Sequence, residues 1–173
     1  MRVVAFAASS SRKSINKQLV TYAAGLIPDA EIEVLDLNDY EMPIFSEDKE
    51  NETGIPALAN QFFNKISECD ALVISFAEHN GSYSAAYKNI FDWCSRISTK
   101  VYQGKATILL ATSPGPGGAS SVLAAATGSA VYFAADLKGS LSVPSFYDNF
   151  DTQKGCLKEG EWDKQLQTVM AKL

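Results

Sequence analysis

Residues 9–16, with the sequence SSSRKSIN, combine four hydroxyl groups with two cations and contain no acid. Hydroxyl groups donate hydrogen bonds without adding charge. Arg12 and Lys13 can neutralise a dianion, and arginine can do so through two parallel bonds. A helix that begins near Ser14 would add free N–H groups and a favourable dipole. The segment therefore predicts a phosphate-monoester site, although a serine-rich turn that only caps a helix explains the same residues equally well.

Two further segments have compositions suited to a planar ligand. Residues 77–83, AEHNGSY, contain the only histidine, His79, and an Asn-Gly pair that favours a tight turn with positive φ. Amides in such a turn can hydrogen-bond a ring that carries imide donors and acceptors. Residues 113–118, SPGPGG, contain glycines that allow the backbone to approach a ligand closely. Taken alone, these segments are also explained as an exposed loop and a flexible turn.

The residue pattern argues against several other chemistries. The chain has three widely separated cysteines, no C-x-x-C pair and no His/Cys cluster, which argues against zinc and thiol redox sites. No Gly-x-Ser-x-Gly elbow is present to partner His79 in nucleophilic catalysis. The phosphate fingerprints G-x-G-x-x-G and G-K-[ST] are also absent. We therefore predict no metal ligand and no catalytic acid, base or nucleophile.

Strands and helices alternate along the chain, which predicts an α/β fold with helices on both faces of a parallel sheet. Apolar runs and alternating patterns predict strands at residues 2–8, 31–37, 70–76, 106–112 and 138–143. Helical spacing predicts helices near residues 14–27, 56–68, 84–97, 119–134 and 162–170, with loops at 38–54 and 144–160. Five strands in this length favour a three-layer, flavodoxin-like, doubly wound sheet with strand order 2-1-3-4-5.

The predicted strand order brings the three polar segments together. They follow strands one, three and four, and ligands of such sheets bind at the carboxyl ends of the strands, where the strand order reverses. That point lies between strands one and three. Convergence at one edge favours a ligand-binding interpretation of all three segments over the separate structural interpretations.

Length and charge limit the remaining possibilities. A chain of 173 residues is expected to form a single domain, 1–173. Its net charge of −5 argues against binding to nucleic acid or to an anionic membrane surface. No apolar run is long enough to span a membrane, and the first one stops at residue 8, too early for a secretory signal. An odd number of cysteines fits a reducing compartment, so we predict the cytoplasm.

The ordered motifs resemble those of the NADPH-dependent FMN reductase family, which includes chromate, quinone and azo-dye reductases. The resemblance covers about residues 1–135 and includes the segment DLNDYEMPIF, residues 36–45. Its main motifs are S-x-S-x-x-S-I-N after strand one, E-x-N-G-S followed by Y-K-N-I-F-D-W after strand three, and S-P-G-P-G-G after strand four. The chain departs from the family in having Ala8 before the first motif, Ser11 where Arg is frequent, and His79 where Tyr is common.

The resemblance implies a flavodoxin-like FMN enzyme that uses NADPH or NADH as a transient co-substrate and reduces a small-molecule electron acceptor by a ping-pong mechanism. Acceptors in the family include quinones, azo compounds, metal oxyanions and free flavin, and family members are homodimers or homotetramers. By position, the phosphate would be held by Ser9, Ser11, Arg12, Ser14, Ile15 and Asn16. The isoalloxazine ring would be bordered by Glu78, His79, Asn80, Gly81 and Ser82, and on its other edge by Ser113, Pro114, Gly115, Gly117 and Gly118. A flavodoxin-type electron carrier and a flavin-free interaction protein of the same fold remain alternatives.

Overall fold

A five-stranded parallel sheet forms the centre of the computed structural model, which describes all residues from 1 to 173. In chain order, the strands are β1 (Arg2–Ala8), β2 (Glu31–Leu35), β3 (Ala71–Phe76), β4 (Glu78–His79), β5 (Ser82–Tyr83), β6 (Ala106–Thr112), β7 (Asp136–Val143), β8 (Phe150–Asp151) and β9 (Cys156–Leu157). The central sheet has the order β2-β1-β3-β6-β7, and all its pairings are parallel. Counted among these five strands alone, this is the predicted order 2-1-3-4-5. The remaining strands form two short antiparallel hairpins.

Helices cover both faces of the sheet, which confirms the predicted three-layer, flavodoxin-like architecture. They are α1 (Ile15–Gly25), α2 (Glu47–Thr53), α3 (Ala57–Ser67), α4 (Ala85–Ile97), α5 (Ser120–Ala130), α6 (Phe146–Asn149) and α7 (Glu161–Met170). One hydrophobic core joins the sheet to α3, α4 and α5, and a second joins it to α1, α6 and α7. No helix combines the length and apolar character that crossing a membrane requires.

Burial on both faces explains why the central strands are almost continuously apolar. Every residue of β3 is buried, and in β1 only Arg2 is exposed. Successive side chains of β1 alternate between the two cores: Val4 and Phe6 pack with α3 and α4, while Val3 and Ala5 pack with α1. A strand with two buried faces needs no polar alternation, which is typical of parallel sheets.

The predicted loop 38–54 is wrong in part, because it contains short helical elements. A 3-10 turn at Leu37–Tyr40 ends β2 earlier than predicted, and α2 follows at Glu47–Thr53. Ser46 caps α2 by accepting a hydrogen bond from the Lys49 N–H. No residue of α2 is buried, so the helix has no apolar stripe from which sequence periodicity could reveal it.

Two other predicted segments differ more substantially from the structure, whereas the bounds of α1 and β7 differ by about one turn or less. The predicted loop 144–160 contains α6 and the β8–β9 hairpin. The predicted helix 119–134 is α-helical only to Ala130 and then tightens into a 3-10 turn at Val131–Phe133, after which Ala134 has a positive φ of 59°. A left-handed residue at this position ends the helix and directs the chain into β7.

The segment between β2 and α2 is anchored to α4. Asn89 accepts a hydrogen bond from the Phe45 N–H at 2.8 Å and donates one to the Met42 carbonyl at 3.1 Å. The indole N–H of Trp93 donates to the Pro43 carbonyl at 2.7 Å. These bonds explain why residues 41–46, which have no regular structure, lie closely against α4.

An ion pair joins α1 to the end of β2. Lys17 Nζ lies 2.6 Å from Asp36 Oδ2, and the backbone N–H of Asn38 donates to the other carboxylate oxygen at 2.9 Å. The bond from Lys17, followed by that from Asn38, lowers the pKa of Asp36 to about 2. The folded state therefore favours the ionised carboxylate.

Asp36→Asn is expected to lower the free energy of unfolding by about 1 kcal/mol at pH 7, a value reduced to allow for solvent screening. Because the pKa is lower in the folded state, this stabilisation is complete above about pH 4 and is lost as the pH falls towards 2. Urea unfolding of wild type and variant at pH 7, 4 and 3 measures the difference. Asp39→Asn, at an exposed neighbouring carboxylate, is the control. An Asp36→Asn effect that does not shrink on acidification would contradict the assignment.

Candidate functional site

The three predicted segments lie around one cleft of about 260 Å³ at the carboxyl ends of β1, β3 and β6. This confirms that they converge in space. The wall contains Ser9, Ser11, Lys13, Ser14, Ile15 and Asn16 from the first segment, Ala77, Glu78 and His79 from the second, Ser113 and Pro114 from the third, and also Thr112 and Tyr147. Most of these side chains are polar, which suits a ligand with several hydrogen-bonding groups.

Several of the predicted site residues do not form the wall of this cleft: Arg12, Asn80, Gly81, Ser82, Gly115, Gly117 and Gly118. Asn80 and Gly81 form the turn between β4 and β5, with φ values of 53° and 77°. This confirms the tight turn predicted for the Asn-Gly pair. Two successive positive φ angles are those of a type I′ hairpin turn.

The beginning of α1 forms the most positive part of the cleft. Ser14 caps the helix by accepting a hydrogen bond from the Lys17 N–H at 3.2 Å. The N–H groups of Ile15 and Asn16 have no protein acceptor, and the first turn contains no acid. Arg12 and Lys13 form no ion pair. Unpaired cations beside the positive end of a helix dipole repel each other, and a bound anion relieves that repulsion.

The side chain of Asn16 joins the first segment to two strands of the sheet. Its Oδ1 accepts hydrogen bonds from Ser75 Oγ at 2.7 Å and from the Thr112 N–H at 3.0 Å. Its Nδ2 donates to the Thr112 carbonyl at 3.1 Å. Because Asn16 is only 2% exposed, these bonds are shielded from water. The side chain therefore positions the start of α1 against β3 and β6, and its backbone N–H is the group left for a ligand.

Glu78 joins the second segment to the helix that follows the third. Its Oε2 accepts a hydrogen bond from the Val122 N–H at 2.8 Å. Ala119, at the N-cap of α5, provides no side-chain acceptor, so the Glu78 carboxylate caps this helix from a distant part of the chain. Glu78 is predicted to border a ring, but one of its carboxylate oxygens already has this structural role.

The glycines of the third segment have different roles. At Gly118, where φ is 59°, a Cβ atom would lie 2.3 Å from Ser142 Oγ, and that hydroxyl donates to the Gly118 carbonyl at 2.7 Å. Gly118 is therefore required by the packing of the protein itself. A Cβ atom at Gly115 or Gly117 would meet no atom within 4 Å. These two positions leave the backbone open to a ligand.

Tyr147 is a cleft residue that the sequence analysis missed. It lies on α6, inside the predicted loop 144–160. The N–H groups of Ser145 and Phe146 donate to the carbonyls of Gly115 and Ser113 at 2.9 Å and 3.0 Å, so this fourth segment is joined directly to the third. The spacing of Phe146 and Phe150, four residues apart, is the sequence signal that could have revealed the turn of helix.

Comparison with known proteins identifies the family of this chain. The family model for NADPH-dependent FMN reductase matches residues 1–148. The chain belongs to this family. It is 31% identical over 125 residues to an NADPH:quinone oxidoreductase of Arabidopsis thaliana, an alignment that covers 70% of this chain and 62% of the relative. It is 30% identical over 116 residues to an NAD(P)H-dependent FMN reductase of Pseudomonas aeruginosa, covering 66% and 61%. The chain thus spans about three fifths of the length of these relatives.

Solved structures show the same fold. The flavoenzyme FerB, an NAD(P)H:(acceptor) oxidoreductase from Paracoccus denitrificans, superposes with a TM-score of 0.76 at 23% identity, covering 98% of this chain and 93% of that one. The azoreductase AzrA gives a TM-score of 0.68 at 15% identity and covers both chains completely. These likenesses establish the flavodoxin-like architecture of the chain.

Asn16→Ala is expected to lower the free energy of unfolding by about 3 kcal/mol, because the buried groups of Ser75 and Thr112 would lose their hydrogen-bond partners. Urea denaturation of the purified variant measures this loss. The control is Asn64→Ala, at an exposed position of α3 where the change should stay within about 0.5 kcal/mol. Equal effects of the two substitutions would show that the Asn16 hydrogen bonds do not stabilise the cleft.

Proposed function

We propose that residues 1–173 form an FMN-binding domain that passes electrons from NADPH or NADH to a small-molecule acceptor. The observation that carries this proposal is the positive, unpaired start of α1, which opens into the same cleft as the second and third segments. A ligand with a phosphate monoester at one end and a polar planar ring at the other matches that arrangement. Membership of the NADPH-dependent FMN reductase family supports the choice of FMN.

The phosphate of FMN fits the first segment. The N–H groups of Ile15 and Asn16 are free to donate, and the hydroxyls of Ser9 and Ser11 lie in the wall of the same cleft. Arg12 and neighbouring Lys13 would balance the charge of a dianion. The short length of this segment, without a glycine-rich turn, suits a monoester better than a pyrophosphate.

The flavin ring fits between the second and third segments. The main chain and side chains of residues 78–82 would border its pyrimidine end, and the open backbone at Gly115 and Gly117 would allow its other edge to approach closely. His79, in the cleft wall, would flank the ring. No group in this arrangement has to act as a nucleophile or as a metal ligand.

Bound FMN would supply the redox chemistry, accepting two electrons and a proton from the nicotinamide and passing them to the acceptor. The protein would bind and orient the ring and the two substrates. Main-chain N–H groups beside the pyrimidine end would stabilise the negative charge that reduction places on the ring. Because one cleft serves both substrates, they would enter in turn, which gives ping-pong kinetics.

The acceptor class is proposed from the relatives. The Arabidopsis thaliana relative is named for quinone reduction, and the fold is shared with an azoreductase. We therefore propose quinones and azo compounds as the first acceptors to test, with metal oxyanions and free flavin after them. From the family resemblance alone, we also propose that the protein assembles as a homodimer or homotetramer.

The activity is tested by following NADPH and NADH oxidation by the purified, FMN-loaded protein with a quinone acceptor. The expected result is oxidation well above that of free FMN at the same concentration, with parallel lines in double-reciprocal plots at varied acceptor. Oxidation no faster than that of free FMN would contradict the proposed enzyme. Intersecting lines would contradict the proposal that both substrates use one cleft in turn, but they would not contradict the proposed activity.

Removal of both cations in the double variant Arg12→Ala/Lys13→Ala is expected to weaken FMN binding at least about tenfold, since charge-assisted bonds to phosphate would be lost. Riboflavin, which has no phosphate, should bind the variant and the wild type equally well. Fluorescence titration measures both dissociation constants.

A charge-matched control separates this local effect from the change in net charge. Lys164→Ala/Lys172→Ala removes two exposed cations near α7, outside the cleft, and should leave FMN binding unchanged. Equal weakening of FMN and riboflavin by the Arg12/Lys13 variant would show that the first segment does not hold the phosphate.

A further inference from the structure

Tyr147 is the only Phe, Tyr or Trp side chain in the wall of the cleft. Its neighbours there are mainly serine hydroxyls, the imidazole of His79 and the carboxylate of Glu78. Polar groups of this kind orient a ligand through hydrogen bonds but offer little surface against which an apolar ring can be removed from water. The Tyr147 ring is the only aromatic surface in the wall that can do so, and the other apolar side chains there are those of Ile15, Ala77 and Pro114.

Tyr147 is 61% exposed, whereas Phe146 and Phe150 on either side of it are almost fully buried. An aromatic side chain that is exposed while it lines a cleft still has apolar surface to bury. Burial of that surface by a ligand contributes to binding, since aromatic rings are large and lose little rotamer freedom when they are covered.

Aromatic packing and a hydrogen bond hold the turn that carries Tyr147. Phe146 stacks on Phe150 with ring centroids 4.7 Å apart and an interplanar angle of 18°. Tyr147 meets Phe146 edge-on at 5.4 Å and 84°. Lys158 Nζ donates to the carbonyl of Asp148 at 2.8 Å, which holds the C-terminal side of the same turn. These contacts restrict the position of the Tyr147 backbone before any ligand binds.

The same turn is joined to the third segment of the cleft. The Ser145 and Phe146 N–H groups donate to the Gly115 and Ser113 carbonyls, and Ser113 Oγ donates to the Gly115 carbonyl at 3.2 Å. Ser145 itself has a φ of 45°, a left-handed conformation at the turn between β7 and α6. Tyr147 and the third segment therefore form one unit, so a ring bordered by one of them is within reach of the other.

From these observations we infer that Tyr147 is a flavin-positioning residue whose ring packs against the bound flavin ring. This inference rests on the proposed FMN function and adds to it a fourth segment, residues 145–147. The contact uses the aromatic face and does not require the hydroxyl. It would help hold the ring in the orientation in which the nicotinamide and the acceptor meet it.

The test is titration of FMN and of riboflavin into the wild type, Tyr147→Ala and Tyr147→Phe, followed by flavin fluorescence and by the visible absorption bands. Loss of the ring in Tyr147→Ala should raise both dissociation constants about tenfold, equivalent to about 1.4 kcal/mol. Tyr147→Phe keeps the ring and should bind both flavins within about twofold of wild type. Tyr132→Ala, which removes an 80% exposed tyrosine outside the cleft, should have no effect.

The possible outcomes distinguish failure of the proposed Tyr147 contact from failure of the proposed FMN function. Wild-type affinity for FMN in Tyr147→Ala would overturn the inference and leave the FMN function intact. Weakening of FMN but not of riboflavin would also overturn it, because the contact would then be to the phosphate. Absence of FMN binding in the wild type would overturn the proposed function together with the inference. Thermal unfolding of ligand-free Tyr147→Ala should match wild type; if it does not, Tyr147→Leu, which keeps apolar bulk without the ring, should show the same loss of flavin affinity.

Discussion

The hydrogen bonds of one buried amide, that of Asn16, hold the cleft together. They connect the start of α1 to Ser75 on β3 and to both main-chain groups of Thr112 on β6. A second connection runs from Ser84 at the start of α4, which donates to the Ala8 carbonyl at the end of β1. The start of α1, where we propose the phosphate binds, can face the second and third segments only while these strand ends remain in register.

This arrangement divides the residues of the family motifs into two groups. One group stabilises the protein itself: Asn16 and Glu78 form internal hydrogen bonds, and Gly118 has no side chain that would clash with Ser142. The free N–H groups of Ile15 and Asn16, the unpaired cations beside them and the open backbone at the other glycines remain available to a ligand. A motif residue can thus be essential to a cofactor site without touching the cofactor, because it maintains the geometry of the cleft.

Much of the fold and the convergence of the three segments at one cleft could be predicted from the sequence. Strands buried on both faces are continuous apolar runs, and their alternation with helices determines which loops share an edge. Contacts between distant residues could not be predicted: Asn16 and Thr112 lie 96 residues apart, and no local pattern indicates that they bond. Helix α2 was not predicted because it buries no side chain. Helix α6 was not predicted because a single turn provides only one pair at helical spacing, Phe146 and Phe150, which is a weak signal beside a full periodic pattern. Tyr147 was missed because it lies on α6.

We propose that the phosphate of FMN binds at the start of α1 while its ring lies against the second and third segments. Backbone amide chemical shifts of isotopically labelled protein, recorded during titration with FMN and with riboflavin, test it most directly. We predict that FMN shifts the amides of Ile15 and Asn16 together with those of residues 78–82 and of Ser113 and Gly115, and that riboflavin shifts only the latter two groups. Shifts confined to other parts of the chain, or identical shifts at Ile15 and Asn16 with both ligands, would contradict the account.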